Sequence, residues 1–164
     1  MPTAAVSEIA PVRVSIVVRA SVELAFRIYT EEIDSWWPKT HHIGSTPMKR
    51  AVMETGVGGR IYSDQEDGSS VQWGKVTAWD PPNRFVMAWQ VTPTWQFEPD
   101  LAKCSEVEVT FTPAHEGHTL IELEHRHFER HGEGALGMRT QVGNDGGGWG
   151  GLLKLFKAKA EEAQ

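Results

Sequence analysis

A chain of 164 residues, 40 % hydrophobic and 23 % charged, has the composition of a folded globular protein and is long enough to bury a core. Its formal net charge is −6, and its only basic cluster is Lys154, Lys157 and Lys159, which excludes a nucleic-acid surface built from clustered Lys and Arg. The single cysteine, Cys104, excludes an internal disulfide and suits a reducing compartment.

Residues 1–10 read as a flexible leader, with neither the basic n-region nor the apolar h-region of a secretory signal. No apolar run approaches the ~20 residues that span a bilayer, so a soluble, cytoplasmic chain is expected. Val12, Val14, Ile16 and Val18 alternate with Arg13, Ser15, Val17 and Arg19, the period of a half-buried strand. Ser21 is placed to cap a helix carrying Val22, Ala25, Phe26 and Tyr29 on one face, with Glu23 at the positive end of its dipole. Leu24 stands where the Glu or Gln of a full capping box would be. A second short helix is expected over Glu31–Trp36, ended by Pro38, and residues 38–49 form a long surface loop.

From residue 50 to 128 every signal is strand or turn. Strands are expected at Arg50–Glu54, Arg60–Asp64, Val71–Trp79, Arg84–Val91, Ser105–Thr112 and Thr119–Phe128. Turns fall at Gly56–Gly59, Glu66-Asp67-Gly68, Asp80-Pro81-Pro82-Asn83 and Glu116-Gly117. Links this short imply an antiparallel meander. Trp73 and Trp79 share one side of their strand and Gly74 the other, although a bulge could exchange them. Trp149, Leu152, Leu153, Phe156 and Ala160 give the last segment an amphipathic helical face. Gly146, Gly147, Gly148, Gly150 and Gly151 crowd its start, and each glycine inside a helix costs ~1 kcal/mol against alanine. Either the helix begins late, near Trp149, or tertiary packing holds a glycine-rich turn and leaves side-chain-free space beside Trp149. The second is favoured.

The order strand, two helices, six strands, long helix resembles the helix-grip fold of the START-like superfamily (SRPBCC, Bet v 1-like). Within it the chain is similar to the family named for the C-terminal domain of the activator of heat shock protein 90 ATPase. The residues carrying the resemblance are Ala25-Phe26, Trp36-Trp37, Gly58-Gly59-Arg60, Gly74-x-Val76 leading to Asp80-Pro81-Pro82-x-Arg84-Phe85, Trp89, Leu123-x-His125, and Gly148-Trp149 with Leu152 and Phe156. They run through nearly all of residues 11–162. The chain departs from the family in its rich glycine run and in lacking the extra N-terminal domain of the eukaryotic co-chaperone. The resemblance implies an α+β helix-grip domain over residues 11–164, with a curved antiparallel sheet of about seven strands around the C-terminal helix and two short helices after the first strand.

Such a fold leaves a cavity between sheet and helix. Alternation turns Phe85, Met87, Trp89, Val107, Val109, Phe111, Ile121, Leu123, His125 and His127 toward it, and Trp149, Leu152 and Phe156 close it from the helix. The alternative is that these side chains fill one another's space as a dry core. Trp is the commonest aromatic here, 7 against 6 Phe and 2 Tyr, and its large apolar area serves cores and pockets alike. Trp95 and Phe97, in the loop 92–103, either form a lid over the mouth or extend the sheet edge; Trp36 and Trp37 are placed to guard the same mouth.

His125 and His127 are the sharpest polar candidates, because a polar group on an apolar face needs a partner. They either orient a polar ligand atom or are satisfied by the protein itself. Catalytic and metal-ligand residues and cofactors are all expected to be absent: His41-His42 cannot easily converge on one ion, no Gly-x-Ser-x-Gly elbow exists, and Cys104 has no helix N-terminus to activate it. The expected function is binding of a small hydrophobic molecule, aromatic or lipid-like. The alternatives are an enzyme on the same scaffold or, as the family name implies, contact with a chaperone. A second copy of the chain is a further expected partner.

Overall fold

A computed structural model describes residues 9–144 and 146–163; most of the expected leader lies outside them. Its last residues are tied down, because Ile9 packs against the core and the Ala10 carbonyl accepts from Arg139 Nε at 2.6 Å. The strands are β1 (Val12–Val18), β2 (Met48–Met53), β3 (Arg60–Gln65), β4 (Ser70–Asp80), β5 (Arg84–Trp89), β6 (Ser105–Pro113) and β7 (Thr119–Arg126). The helices are α1 (Val22–Thr30), α2 (Ala135–Val142) and α3 (Trp149–Glu162). All strands join one antiparallel sheet in the order β1-β7-β6-β5-β4-β3-β2, curled into a half-barrel with α1 and α3 on its inner side. This is the expected helix-grip arrangement.

Local chemistry accounts for most boundaries. Ser21 caps α1, its Oγ accepting from the Leu24 N–H at 3.1 Å. The short helix expected after α1 contracts to a 3-10 turn, Ile33–Ser35, and β2 begins at Met48, inside the expected loop. β4 carries two irregularities, one where Trp73 is skipped in its pairing with β3 and one where Thr77 is skipped against β5. Each inserts a residue and resets the alternation, so Trp73, Val76 and Trp79 all reach the core side. Gly74 sits on that side too: a Cβ there would stand 2.5 Å from Met87 Cε.

Two expectations are corrected. β7 ends at Arg126, and His127 takes a left-handed conformation at φ 66°, so it leaves the strand and does not share the inward face with His125. Its side chain is 42 % exposed, with Nδ1 3.6 Å from Glu129. α2 occupies a stretch where no element was expected, since Gly137 and Thr140 are poor helix formers and only Ala135, Met138 and Val142 are buried. The glycine run combines both readings: α3 starts at Trp149 with Gly148 as its N-cap, and the turn before it packs Gly148 against the Val142 carbonyl.

The outer face of the sheet is charged. Glu108 and Glu124 are directly paired across β6 and β7, a like-charge contact that costs stability unless neutralised. Arg126 bridges them and Glu106, with N–O distances of 2.6, 3.0 and 2.6 Å. No helix among the described residues is long and apolar enough to cross a membrane.

Candidate ligand cavity

The inner side of the half-barrel is divided into a filled half and an open half. In the filled half, α1 drives Phe26 and Tyr29 into the sheet: Phe26 meets Phe111 at 5.2 Å between ring centroids, and Tyr29 meets Phe85, Phe111 and Phe156 at 5.5, 5.8 and 5.2 Å. Phe85, Val107, Val109, Phe111 and Phe156 are fully buried there, with Met87 and Leu123 nearly so. These side chains pack against one another and do not reach the cavity.

The open half is built from tryptophan. Trp37, from the turn after α1, stacks on Trp73 of β4 with centroids 4.9 Å apart and planes inclined by 25°. Trp73 meets Trp89 of β5 edge-on at 6.0 Å, Trp89 meets Trp149 of α3 at 5.6 Å, and Trp149 meets Trp37 at 6.1 Å. A cavity of about 250 Å³ adjoins this ring of indoles, bounded by Trp37, Trp89, Trp149, Trp95, Leu152 and Val142. Its rim is polar, with Thr40, His41 and His42 on one side and Gln141, Asn144, Gly147 and Gly148 on the other. Of the expected lining, Trp37, Trp89, Trp95, Trp149 and Leu152 therefore surround it.

Trp95 sits at a tight tip: its N–H donates to the Thr92 carbonyl at 2.8 Å, and Val91 pairs with Phe97. Its φ of 65° is uncommon for a bulky residue. The ring is 43 % exposed while still bordering the cavity. Across the mouth, His41 Nε2 lies 2.8 Å from the Gly147 carbonyl and joins the two rims. Gly148 allows the close approach on that side, since a Cβ there would stand 2.3 Å from the Val142 carbonyl oxygen.

The indole nitrogens divide into two groups. Trp36 donates to the Ile28 carbonyl at 3.1 Å, Trp37 to the His41 carbonyl at 2.8 Å and Trp149 to His125 Nδ1 at 3.0 Å. Trp73 Nε1 and Trp89 Nε1 are buried without a hydrogen-bond partner. His125 is fully buried and continues from Nε2 to Ser105 Oγ at 2.7 Å, which in turn lies 2.7 Å from His131 Nε2. Burial pushes the His125 pKa well below the ordinary histidine value, and the neighbouring His131 adds to the shift. Burial also lowers His131, with Glu98 opposing. His125 is thus satisfied by the protein, behind the cavity wall.

Sequence reasoning missed the polar rim and this hydrogen-bonded series. His41 and His42 were legible only as a candidate metal pair, and among the described residues no group of three His, Cys, Asp or Glu converges to hold an ion. Cys104 is buried, and its thiol pKa is pushed up to about 11 by that burial and by Glu98 and Asp100; this opposes a reactive thiolate.

A family model described as Activator of Hsp90 ATPase homolog 1-like protein matches residues 19–159. No curated protein matches the chain. Among solved structures, an anthrahydroquino-γ-pyrone synthase, Txn09, is 38 % identical with a TM-score of 0.66, covering 92 % of this chain and 97 % of its own. The self-sacrificing resistance protein CalC from Micromonospora echinospora is 28 % identical with a TM-score of 0.67, covering 93 % and 95 %. The Aha1 dimer from Colwellia psychrerythraea, 16 % identical with a TM-score of 0.59 over 93 % and 97 %, shares the fold.

Proposed function

The chain belongs to the Activator of Hsp90 ATPase homolog 1-like family, and from that premise we propose that it binds a small, flat, hydrophobic molecule in the tryptophan-walled cavity. The observation that carries this is the convergence of Trp37, Trp89, Trp95 and Trp149 on one cavity of about 250 Å³. That volume lies near the lower end of the ~300–1,000 Å³ typical of ligand pockets. Indole faces suit an aromatic guest through offset or edge-on contact. The binding unit is residues 11–164 acting as a single domain in the cytoplasm.

Tryptophan emission titrated with anthraquinone sulfonate and with naphthalene sulfonate tests the reading. Saturable quenching is expected, weakened about tenfold or more by Trp89→Ala, the loss of one buried aromatic contact surface. Absence of quenching by either probe, or quenching unchanged in Trp89→Ala, overturns it.

The relative that is 38 % identical and named a synthase favours a second reading, in which the same cavity holds a planar oxygenated aromatic while a ring closes. Turnover of such a substrate, lost when the cavity is blocked by Gly147→Trp, separates catalysis from binding alone. Stimulation of a chaperone ATPase, which the family's description carries, requires a complex detectable by gel filtration.

A further inference from the structure

The partners of His125 fix the direction of every hydrogen bond in its series. An indole nitrogen donates only, so His125 Nδ1 accepts from Trp149 at 3.0 Å and the proton of the neutral ring sits on Nε2. Nε2–H then donates to Ser105 Oγ at 2.7 Å. The Ser105 backbone N–H points at His131 Nε2, at 3.3 Å, which makes that nitrogen an acceptor, so the Ser105 hydroxyl donates to it at 2.7 Å. His131 therefore carries its proton on Nδ1. The series runs one way, from the cavity wall through β7 and β6 to the 3-10 turn Phe128–His131.

We infer that Ser105 and His131 are positioning residues for the cavity: acting through His125, they hold the Trp149 indole in place and make its setting depend on whether His131 carries a second proton. The inference rests on the cavity reading only for its consequence in ligand binding. If His131 gains a proton at Nε2, that nitrogen becomes a donor facing two donors, the Ser105 hydroxyl and N–H. The Ser105 oxygen, with two lone pairs, can accept from both rings, but its own hydrogen then faces only His125 Nε2, which already carries one. Relief comes either by leaving the hydroxyl hydrogen unpartnered or by moving the His125 proton to Nδ1, where it meets the Trp149 N–H. The first costs the buried hydroxyl its hydrogen bond; the second releases the Trp149 indole from its acceptor.

Burial, which favours the neutral ring, supports His131 as the sensing end, since it is only partly covered while His125 is fully buried. Other ionisable groups on its own turn and on the elements packed against it are Glu98, Asp100, Lys103 and Cys104 before β6, Glu106 and Glu108 on β6 (both paired with Arg126), His127, Glu129 and Arg130 at its own turn, and Arg139 on α2. Arg130 and Arg139 lie on backbone carbonyls, of Cys104 and of Ala10 and Pro11.

The test reads tryptophan emission of the ligand-free protein between neutral and mildly acidic pH. The wild type is expected to change with a midpoint below the ordinary histidine pKa of ~6.5, and Trp149→Phe to lose that change. His131→Gln keeps an acceptor for Ser105 but does not titrate, so it should hold the neutral-pH emission throughout. His131→Ala removes the acceptor and should show the acid emission at every pH. Binding of anthraquinone sulfonate should be about fivefold weaker in His131→Ala than in His131→Gln, the worth of one net hydrogen bond. Ser105→Ala should uncouple the two ends. Should Ser105→Ala fail to fold, the Gln and Ala pair at the half-exposed His131 decides alone. Wild-type pH response in His131→Gln, or in a folded Ser105→Ala, overturns the inference. Because emission is read without ligand, failure of the probe to bind would sink the cavity reading and leave this one standing.

Discussion

Both ring nitrogens of His125 are engaged, by Trp149 and by Ser105, and the residue has no exposure. Replacing it with Leu strands the Trp149 N–H, a buried polar group whose loss of partner costs about 1–3 kcal/mol, and removes the bond that Ser105 Oγ accepts, while the Ser105 hydroxyl keeps His131. A total loss of about 2–4 kcal/mol is expected in urea unfolding, with His125→Gln losing less because its amide can both accept and donate. The same burial sets a pH dependence. His125 and His131 both have folded pKa values lowered by desolvation, so the unfolded chain binds more protons. Stability is therefore full above the unfolded value of ~6.5 and declines as pH falls below it. Thermal melts at stepped pH should show this decline, with a shallower slope in His131→Gln. That His125 faces inward was legible from alternation with Leu123 and Ile121. Its partners were not, since Ser105 stands 20 residues before it and Trp149 24 after it, and His131 is 26 residues from Ser105, in pairs that only the fold creates. His127 was misread because a left-handed residue ended the strand, and nothing in the local pattern of Glu124 to Phe128 announces that.

At the scale of elements, period-two reading found every strand to within a few residues and failed inside β4. The bulges at Trp73 and Thr77 place residues three apart on one side, which no strict alternation can express. The cavity depends on the first of them, since Trp73 stacks on Trp37. The α2–α3 connection is equally specific. A Cβ on Gly148 would collide with two backbone carbonyls, of Val142 and Asn144, whereas one on Gly147 meets nothing. Gly148→Ala should cost about 2 kcal/mol or more, and Gly147→Ala less than about 0.5 kcal/mol. Equal effects in denaturant titration would contradict the close approach described here. The glycines were conspicuous in the sequence, but which of them is spatially constrained depends on α2, an element with too weak an apolar face to be foreseen.

For the molecule as a whole, order and spacing of weak motifs were enough to indicate a curved sheet around a final helix. They did not indicate that α1 fills half of the interior, so that Phe85, Phe111 and Phe156 meet Tyr29 and not a ligand. Binding in the remaining half stabilises the folded chain by mass action. A probe at a hundred times its dissociation constant contributes about 2.7 kcal/mol, which for a chain of this size raises Tm by about 5–10 °C. Trp89→Ala should lose most of that rise in a thermal-shift titration, while Phe85→Leu, remote from the cavity, should lower Tm without reducing it.

The pairing of β1 with β7, Val12 opposite His125, has a consequence for how the chain emerges during synthesis. β2 to β7 can pair in turn as each leaves the ribosome, because each from β3 onward lies beside its predecessor. β1 is made first and paired last: Val12, Val14, Ile16 and Val18 wait without a neighbour until residue 119 and beyond have appeared. The strand that closes the sheet beside the cavity wall is thus the first of the seven to be made and the last to be paired, and its apolar side chains stay uncovered the longest.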